Sequence, residues 1–318
     1  MTVLVLGATG FIGPHVVAAL AARHVDVVGA SRRGAGRQGA PVDRRDVRAV
    51  KALVRQRRVT TVIDLLAYTE ADTLALLHAF DGEIEHWVMA SSCDVYRNYD
   101  GLHRHPTAEP IVSPLTEMSP LRTRLHPYRQ APARDPEAPD AWMDDYDKIP
   151  LEAALRARAA LAGTILRLPM VFGPGDRQRR FRWAISPMLR AETVIEVDRS
   201  WLGFRATYGY VEDVADSLAT AALHPAARGR TFNLGRVLPA DNRGWFDCFA
   251  ERTGWAGEVR ETAAPDGGPL AALDLRYPLV IDTSAFRAAC SWVEPTSLID
   301  AVDRTIADEK ARSGAQIS

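Results

Sequence analysis

Lysine is scarce in this chain of 318 residues. Only Lys51, Lys148 and Lys310 are lysines, so 36 of the 39 basic residues are arginines. Because 40 acidic residues offset them, the formal net charge is −1. This balance argues against binding nucleic acid mainly through bulk positive charge.

Cysteine and long apolar runs are also in short supply. Cys93, Cys248 and Cys290 are odd in number and far apart, which excludes a disulfide framework and a zinc ligand set. No apolar stretch approaches the roughly 20 residues that span a bilayer. We therefore expect a cytoplasmic protein with no metal, nucleic-acid or membrane partner.

Short apolar runs alternate with helical patterns in the first third of the chain. The runs cover residues 3–6, 25–28, 62–67 and 86–91, and apolar residues between them recur at helical spacing. This alternation predicts an α/β fold with a parallel sheet covered on both faces. Residues 97–141 differ, because they hold 8 of the 20 prolines and show little periodicity. A helix is expected again over residues 148–162 and a strand over 164–168.

A glycine-rich loop follows the first predicted strand and opens a helix. Glycines in this context permit a tight turn, close approach of a pyrophosphate and close helix–strand packing. The free N–H groups and the positive dipole of the helix N-terminus then favour phosphate. The predicted dinucleotide-binding residues of the loop are Gly7, Thr9, Gly10, Phe11, Ile12 and Gly13.

The end of the second predicted strand indicates which dinucleotide is bound. An acidic residue there would hold the ribose 2′-hydroxyl of NAD, whereas an arginine would accept the 2′-phosphate of NADP. This chain has Ser31, Arg32 and Arg33 and no acid. We therefore predict NADP(H), with NAD as the other candidate.

Several motifs in order resemble the extended short-chain dehydrogenase/reductase family, which includes NAD(P)-dependent epimerases and dehydratases. They are the glycine loop, Asp43-Arg44-Arg45-Asp46, Ser91-Ser92-Cys93-Asp94-Val95-Tyr96, the stretch 166–175 and Tyr210-Val211-Glu212-Asp213. The resemblance implies a doubly wound, Rossmann-type sheet over residues 1–172 and a smaller substrate lobe over residues 173–318. Segments near 205–235 are expected to return to the first domain.

The resemblance also assigns further residues. It makes Ser92 the catalytic hydroxyl and Asp43 the contact to adenine. A homodimer is expected through the helix carrying Lys148 and the one near 72–80. The remaining cofactor contacts that it implies are Leu65, Leu66, Ala67, Lys148, Leu168 and Pro169.

The chain departs from the family at its Tyr-x-x-x-Lys motif. Lys148, followed by Glu152, matches the family lysine, but Asp144 stands four residues before it and Tyr146 only two. On a regular helix, residues two apart point in different directions. Three solutions are open: a helix that begins at residue 147 or 148 and leaves Tyr146 free, Asp144 as the proton-transfer group, or a tyrosine such as Tyr128. A fourth reading is that the dyad is absent. We rank Tyr146 first because Pro150 suits a helix that begins near Lys148.

Asp94 occupies the place where dehydratases of this family carry an acid that acts as a base. The other reading is an aspartate that caps a turn.

The sequence thus predicts an NADP(H)-dependent oxidoreductase, epimerase or dehydratase. Its substrate would be a small molecule with a hydroxyl or keto group, such as a nucleotide sugar or a natural-product intermediate. The alternative is a non-catalytic dinucleotide-binding or redox-sensing protein that acts through a partner.

Overall fold

The computed structural model describes residues 1–34, 39–80, 82–158, 160–263 and 269–314. Its strands are β1 (Thr2–Leu6), β2 (Asp26–Ser31), β3 (Gly39–Pro41), β4 (Val59–Asp64), β5 (His86–Ser92), β6 (Ala162–Leu168), β7 (Met170–Phe172), β8 (Val194–Asp198), β9 (Tyr208–Tyr210), β10 (Thr231–Asn233) and β11 (Glu258–Thr262). Its helices are α1 (Gly13–Ala22), α2 (Val47–Arg57), α3 (Glu70–Ala79), α4 (Arg97–Leu102), α5 (Lys148–Arg156), α6 (Arg182–Leu189), α7 (Arg199–Leu202), α8 (Val211–Leu223), α9 (Asn242–Thr253), α10 (Ser284–Cys290) and α11 (Leu298–Gly314).

One parallel sheet of seven strands, in the order β10-β6-β5-β4-β1-β2-β3, organises the described residues. Alternate side chains of β1 enter two different cores, as a buried strand requires. Val3 and Val5 pack with residues of α1 and α8, whereas Leu4 and Leu6 pack with residues of α2, α3 and α5. The predicted α/β, doubly wound Rossmann-type fold is confirmed.

The strand order reverses between β1 and β4, which lie side by side at the centre of the sheet. Ligands of open α/β sheets bind outside the carboxyl ends of the strands at such a switch point. The glycine loop after β1, Leu65 after β4 and Ser92 at the end of β5 all lie at this edge.

The later part of the chain contributes to both regions of the molecule. β10 pairs with β6 at the edge of the large sheet, and α8 packs against α1 and β5. Two small parallel pairs, β7 with β9 and β8 with β11, lie outside that sheet. Among the described residues, no helix is both long and apolar enough to cross a membrane.

Two segments differ from the sequence-based expectation. The helix expected over 148–162 ends at Arg156, because β6 already pairs with β5 from Ala162. The proline-rich segment 97–141 begins with α4 and is anchored to the rest of the chain. Tyr96, just before it, forms a bridge with Leu121, and Leu115 forms one with Ile281.

Candidate active site

The glycine loop has the backbone geometry of a close ligand approach. Gly7 has φ of +93°, and its N–H donates to the carbonyl of Ala30 at 3.0 Å. A Cβ on Gly13 would lie 2.2 Å from the carbonyl oxygen of Gly7, so only glycine fits there. Ile12, which precedes α1, gives no side-chain cap to the N-terminus of this helix.

Residues after β4 line the other side of this loop. A Cβ on Gly7 would lie 2.9 Å from Cγ of Leu66, and the N–H of Leu65 donates to the carbonyl of Leu6 at 3.1 Å. Leu168 pairs with Ser92 across β6 and β5 and so reaches the same edge, with Pro169 next to it. The structure thus brings Leu65, Leu66, Leu168 and the glycine loop to one edge of the sheet.

The end of β2 carries no carboxylate. The hydroxyl of Ser31 donates to the carbonyl of Gly34 at 2.8 Å, while Arg32 and Arg33 are exposed in the following turn. Asp43 lies near this turn: a backbone hydrogen bond from Arg45, with a contribution from the charge of Arg32, holds the pKa of its carboxyl below the ordinary value.

Ser92 ends β5 and begins a short turn. Its Oγ accepts from the N–H of Asp94 at 3.2 Å. The neighbouring Ser91 points elsewhere, since its hydroxyl donates to Glu152 at 2.6 Å. Ser92, half-buried at the strand end, is therefore the serine available to a ligand.

Tyr146 precedes the helix and is not part of it. α5 begins at Lys148, and Asp147 caps it in extended conformation by accepting from the N–H of Ile149 at 2.9 Å. The Tyr146 hydroxyl is consequently free of the i, i+2 restriction and donates to Oδ2 of Asp94 at 2.9 Å. The predicted helix start is confirmed.

Lys148 is buried at the centre of the site. Its Nζ donates to the carbonyls of Ala67 at 2.5 Å and Ala90 at 2.8 Å. It lies 5.0 Å from the ring centroid of Tyr68 and 5.5 Å from that of Tyr146. Burial lowers the pKa of this amine to about 8. Its position places the amine next to the predicted proton-transfer group.

Asp94 is enclosed by hydroxyl groups. Its Oδ2 accepts from Tyr146 at 2.9 Å and from Tyr128 at 3.2 Å. Its Oδ1 is buried and has no hydrogen-bond partner among the described residues. Burial raises the pKa of the Asp94 carboxyl. The capping role that we weighed belongs to Ser92, whose Oγ accepts from the N–H of Asp94.

Asp144 is occupied by the proline-rich segment and is not brought into this group. Its carboxylate accepts from the N–H groups of Arg134 at 2.7 Å and Gln130 at 3.2 Å, and it forms an ion pair with the Arg134 guanidinium. These bonds stabilise the charged form, and the pKa of Asp144 is lowered. The structure corrects the alternative in which Asp144 transfers the proton, because its oxygens already order a loop.

Sequence reasoning missed the residues that hold the proline-rich segment against the site. Arg122 donates to both carboxylate oxygens of Asp147, at 2.6 and 3.1 Å, and to the carbonyl of Asp94 at 2.9 Å. Tyr99 of this segment takes part as well, since its hydroxyl donates to that of Tyr128 at 2.9 Å. The sequence offered one signal for these contacts, namely Asp147 ahead of Pro150, because this pair is typical of the capped start of a helix.

The structure combines a Rossmann-type α/β fold with a glycine-rich loop and with a cluster of Ser92, Asp94, Tyr146 and Lys148 at the carboxyl ends of the strands. Residues 3–120 match the model of the NAD dependent epimerase/dehydratase family. This match covers a little over a third of the chain and agrees there with the motifs noted in the sequence. No curated protein matches the chain.

Solved structures of similar fold cover almost the whole chain. A UDP-glucose 4-epimerase of Thermotoga maritima, solved with UDP-glucose, is 19% identical, with 98% of this chain and 100% of that one covered and a TM-score of 0.69. A UDP-glucose 4-epimerase of Stenotrophomonas maltophila, with bound NAD and formylated UDP-arabinopyranose, is 20% identical, with 99% of each chain covered and a TM-score of 0.71. A short-chain dehydrogenase/reductase superfamily protein of Agrobacterium tumefaciens, with bound NAD, is 20% identical, with 100% and 99% covered and a TM-score of 0.69. At these identities the likeness establishes the fold.

Proposed function

We propose that this chain is an NAD(P)(H)-dependent oxidoreductase, epimerase or dehydratase that acts on a hydroxyl or keto group of a small molecule. The observation that carries the proposal is the convergence of Ser92, Asp94, Tyr146 and Lys148 at the strand ends beside the glycine loop. A positioned hydroxyl, a proton-transfer group and a fixed positive charge are what hydride chemistry at a carbinol carbon requires.

The residues present fit a dinucleotide. The glycine loop and the uncapped start of α1 would hold the pyrophosphate, and the 3.3 Å from a Cβ on Gly10 to the Gly7 carbonyl leaves little room for a side chain there. Asp43 would contact the adenine, and Leu168 with Pro169 would border the nicotinamide. When bound, this cofactor supplies the hydride acceptor or donor.

The chain's own residues would then handle the proton. Ser92 would hydrogen-bond the reacting oxygen, and Tyr146 would exchange a proton with it. Lys148 would favour negative charge at that oxygen, and its two bonds to carbonyls hold the ammonium in place.

We propose NADP(H) as the preferred dinucleotide. Two observations support this preference. The Ser31 hydroxyl donates to the carbonyl of Gly34, and Arg32 and Arg33 are exposed at the end of β2. Guanidinium groups bind phosphate through paired hydrogen bonds. Two of the solved relatives named above, those of Stenotrophomonas maltophila and Agrobacterium tumefaciens, contain NAD, so this preference is a point on which the chain would differ from them.

Nucleotide sugars are the first substrate class to test. Two of the solved relatives hold UDP-sugars. In this chain Arg177, Arg182 and Arg205 are exposed in the second lobe, whereas Arg179 and Arg180 already pair with Glu309 and Asp176. Exposed guanidinium groups in that lobe are suited to a diphosphate.

Calorimetric and thermal-shift titrations with NADPH and NADH test the cofactor. We expect NADPH to raise the melting temperature more than NADH, because tighter binding to the native state gives a larger shift. The double variant Arg32→Ser, Arg33→Ser should weaken NADPH binding about ten- to hundredfold, the value of charged hydrogen bonds, and leave NADH binding unchanged. The control Arg190→Ser removes an exposed arginine that pairs with Glu192 in the second lobe. A larger shift with NADH would refute the NADP preference.

Turnover tests the reaction class. The protein with NADP⁺ or NAD⁺ is incubated with UDP-glucose, UDP-galactose and UDP-glucuronic acid, and products are separated while nicotinamide absorbance is followed. We expect turnover of at least one compound and a loss of about 10²-fold or more in Tyr146→Phe, since proton transfer by a positioned group contributes that much. Dinucleotide binding without turnover would contradict enzymatic action on this substrate class.

The non-catalytic alternative has two observations in its favour. The Lys148 ammonium points to two backbone carbonyls, and burial together with the Asp94 charge raises the pKa of Tyr146. This alternative predicts that Lys148→Arg binds the dinucleotide as tightly as the wild type does, and that neither protein exchanges hydride.

A homodimer through α3 and α5 is a separate proposal, which light scattering of the purified protein would test.

A further inference from the structure

We infer that the proton taken from the substrate through Tyr146 comes to rest on Asp94, and that Tyr128 and Tyr99 of the proline-rich segment set the proton affinity of that carboxyl. The inference rests on the proposed function and deepens it. Asp94 is the catalytic acceptor in this scheme, whereas Tyr128 and Tyr99 are positioning residues that act through it.

A continuous chain of hydroxyl groups ends at one carboxylate oxygen. Tyr99 donates to the Tyr128 hydroxyl at 2.9 Å, and Tyr128 donates to Oδ2 of Asp94 at 3.2 Å. Tyr146 donates to the same oxygen from the other side at 2.9 Å. The rings pack as well: the centroids of Tyr128 and Tyr146 are 5.0 Å apart, and those of Tyr99 and Tyr128 are 6.2 Å apart.

The carboxylate is a better resting place for the proton than the Tyr146 oxygen. Ionised Tyr146 would lie in a buried site against the Asp94 charge, and both effects raise the pKa of its hydroxyl. Among the described residues, the Lys148 ammonium donates to the carbonyls of Ala67 and Ala90 and not to that hydroxyl. Two bound hydroxyl groups stabilise the charged form of Asp94, while burial opposes it.

The groups that face Asp94 come from several elements. The Arg122 guanidinium donates to its main-chain oxygen and pairs with Asp147, and Lys148 approaches from α5. The thiol of Cys93 is adjacent, and burial raises its pKa to about 12, so it stays neutral. Nearby positive charge therefore keeps the carboxyl able to ionise in spite of its burial.

The proton transfer balances without a further reactant. The substrate O–H bond breaks as its proton bonds to Oη of Tyr146, while the O–H bond of Tyr146 breaks and its proton bonds to Oδ2 of Asp94. Tyr146 ends neutral and Asp94 ends as the acid. The substrate oxygen would form its carbonyl in this step, and a dinucleotide held by the glycine loop would supply the hydride acceptor. In the reverse direction both proton steps would run backwards.

A carboxyl titration tests the chain of groups without cofactor or substrate. Full-length protein carrying ¹³C-labelled aspartate carboxyl carbons is titrated by NMR, and the Asp94→Asn variant assigns the Asp94 signal. We expect Asp94 to titrate above 3.8, the ordinary aspartate value. Tyr128→Phe should raise this pKa by about one unit, because a hydrogen bond to a charged group is lost. Tyr99→Phe should shift it less in the same direction.

A matched control is Tyr208→Phe, which removes another buried hydroxyl, bonded to Asn242 in the second lobe. It should leave the Asp94 titration unchanged. A titration at or below 3.8, or an unmoved pKa in Tyr128→Phe, would overturn the inference. If Tyr128→Phe does not fold, the shift in Tyr99→Phe decides.

The second readout is the pH dependence of kcat/KM with whichever nucleotide sugar is turned over. In Tyr128→Phe the acid limb should move upward by the same amount as the Asp94 titration, because the base must be ionised to accept the proton. If the acid limb of the kcat/KM profile stays in place while the pKa of Asp94 measured by NMR rises, the inference is also overturned. Failure of the proposed function would look different from failure of this inference. The protein would then lack dinucleotide binding or turnover, while the pKa of Asp94 would still shift in Tyr128→Phe.

Discussion

Asp147 links the helix start, the proline-rich segment and the candidate active site, so its removal is a severe test of the structure. Its buried carboxylate accepts from the N–H of Ile149 at 2.9 Å and of His126 at 2.7 Å, and from Arg122 at 2.6 and 3.1 Å. The side chains of Asp147 and Arg122 are both 0% exposed. The Asp147→Ala variant therefore leaves a buried guanidinium without its counter-charge.

The expected loss follows from these contacts. Breaking a buried ion pair costs about 3–5 kcal/mol, and a lost helix cap costs about 1 kcal/mol. Arg122 keeps its bonds to the carbonyls of Asp94 at 2.9 Å and Arg124 at 2.5 Å, which places the variant near the lower end. We expect the free energy of unfolding to fall by about 4 kcal/mol, a large share of the roughly 5–15 kcal/mol of a typical protein.

Urea unfolding of wild type and Asp147→Ala, followed by circular dichroism, measures this difference. The control is Asp145→Ala, which removes a carboxylate two residues away whose side chain is 73% exposed and pairs with Arg129. A surface pair of this kind contributes about 0–1 kcal/mol. Hydrogen exchange across residues 97–141 should rise only in Asp147→Ala. Equal stability of the two variants would refute the role assigned to Asp147.

Three further predictions concern the cofactor loop, the catalytic lysine and a buried carboxylate. Gly13→Ala should abolish dinucleotide binding in calorimetry, because its Cβ would lie 2.2 Å from a backbone oxygen of the loop; Gly314→Ala, with no atom within 4 Å of a Cβ, is the control. Lys148→Arg should lower turnover by about tenfold or more, since a bulkier group of fixed charge replaces a compact one. Glu152→Gln should cost about 3 kcal/mol in urea unfolding, because the buried Arg167 loses its counter-charge.

The Glu152 prediction also has a pH dependence. Burial alone would raise the pKa of this carboxyl, but the hydrogen bonds and charge of Arg167, with the Ser91 hydroxyl, lower it below the ordinary 4.5. A lowered folded-state pKa gives stability that is complete above 4.5 and is lost as pH falls through the folded value. The gap between wild type and Glu152→Gln should thus be constant near neutrality and narrow in acid. A stability difference between wild type and Glu152→Gln that widens in acid would contradict the role of this carboxylate. Dinucleotide binding retained by Gly13→Ala would contradict the role of the glycine loop, and an unchanged turnover rate in Lys148→Arg would contradict the role of the lysine.

The central sheet and the glycine loop were predictable because their signals are local. Apolar runs of four to six residues, broken by helical spacing and glycines, determine strand, turn and helix from neighbouring residues alone. The start of α5 was predictable for the same reason: Asp147 and Pro150 are a local cap and a first-turn residue. Tyr146 could therefore be ranked above Asp144 from the sequence.

The contacts of the proline-rich segment were not predictable, because they join residues far apart in the chain. The Tyr128 hydroxyl meets a carboxylate 34 residues earlier, and Arg122 meets Asp147 across 25 residues. No periodicity encodes such pairs, since they depend on where a segment without regular structure packs. The same packing places Arg134 in an ion pair with Asp144, and the local sequence around Asp144 gives no sign of this contact.

A crystal structure of the protein with NADP⁺ would show whether Tyr146 takes the place of the tyrosine missing from the Tyr-x-x-x-Lys motif. We expect C4 of the nicotinamide to face a point within hydrogen-bond distance, about 3 Å, of both Ser92 Oγ and Tyr146 Oη. Tyr146 should still donate to Asp94, and the 2′-phosphate should contact Arg32 or Arg33. A nicotinamide bound away from Tyr146, or a Tyr146 hydroxyl that cannot reach the same point as Ser92, would contradict the account.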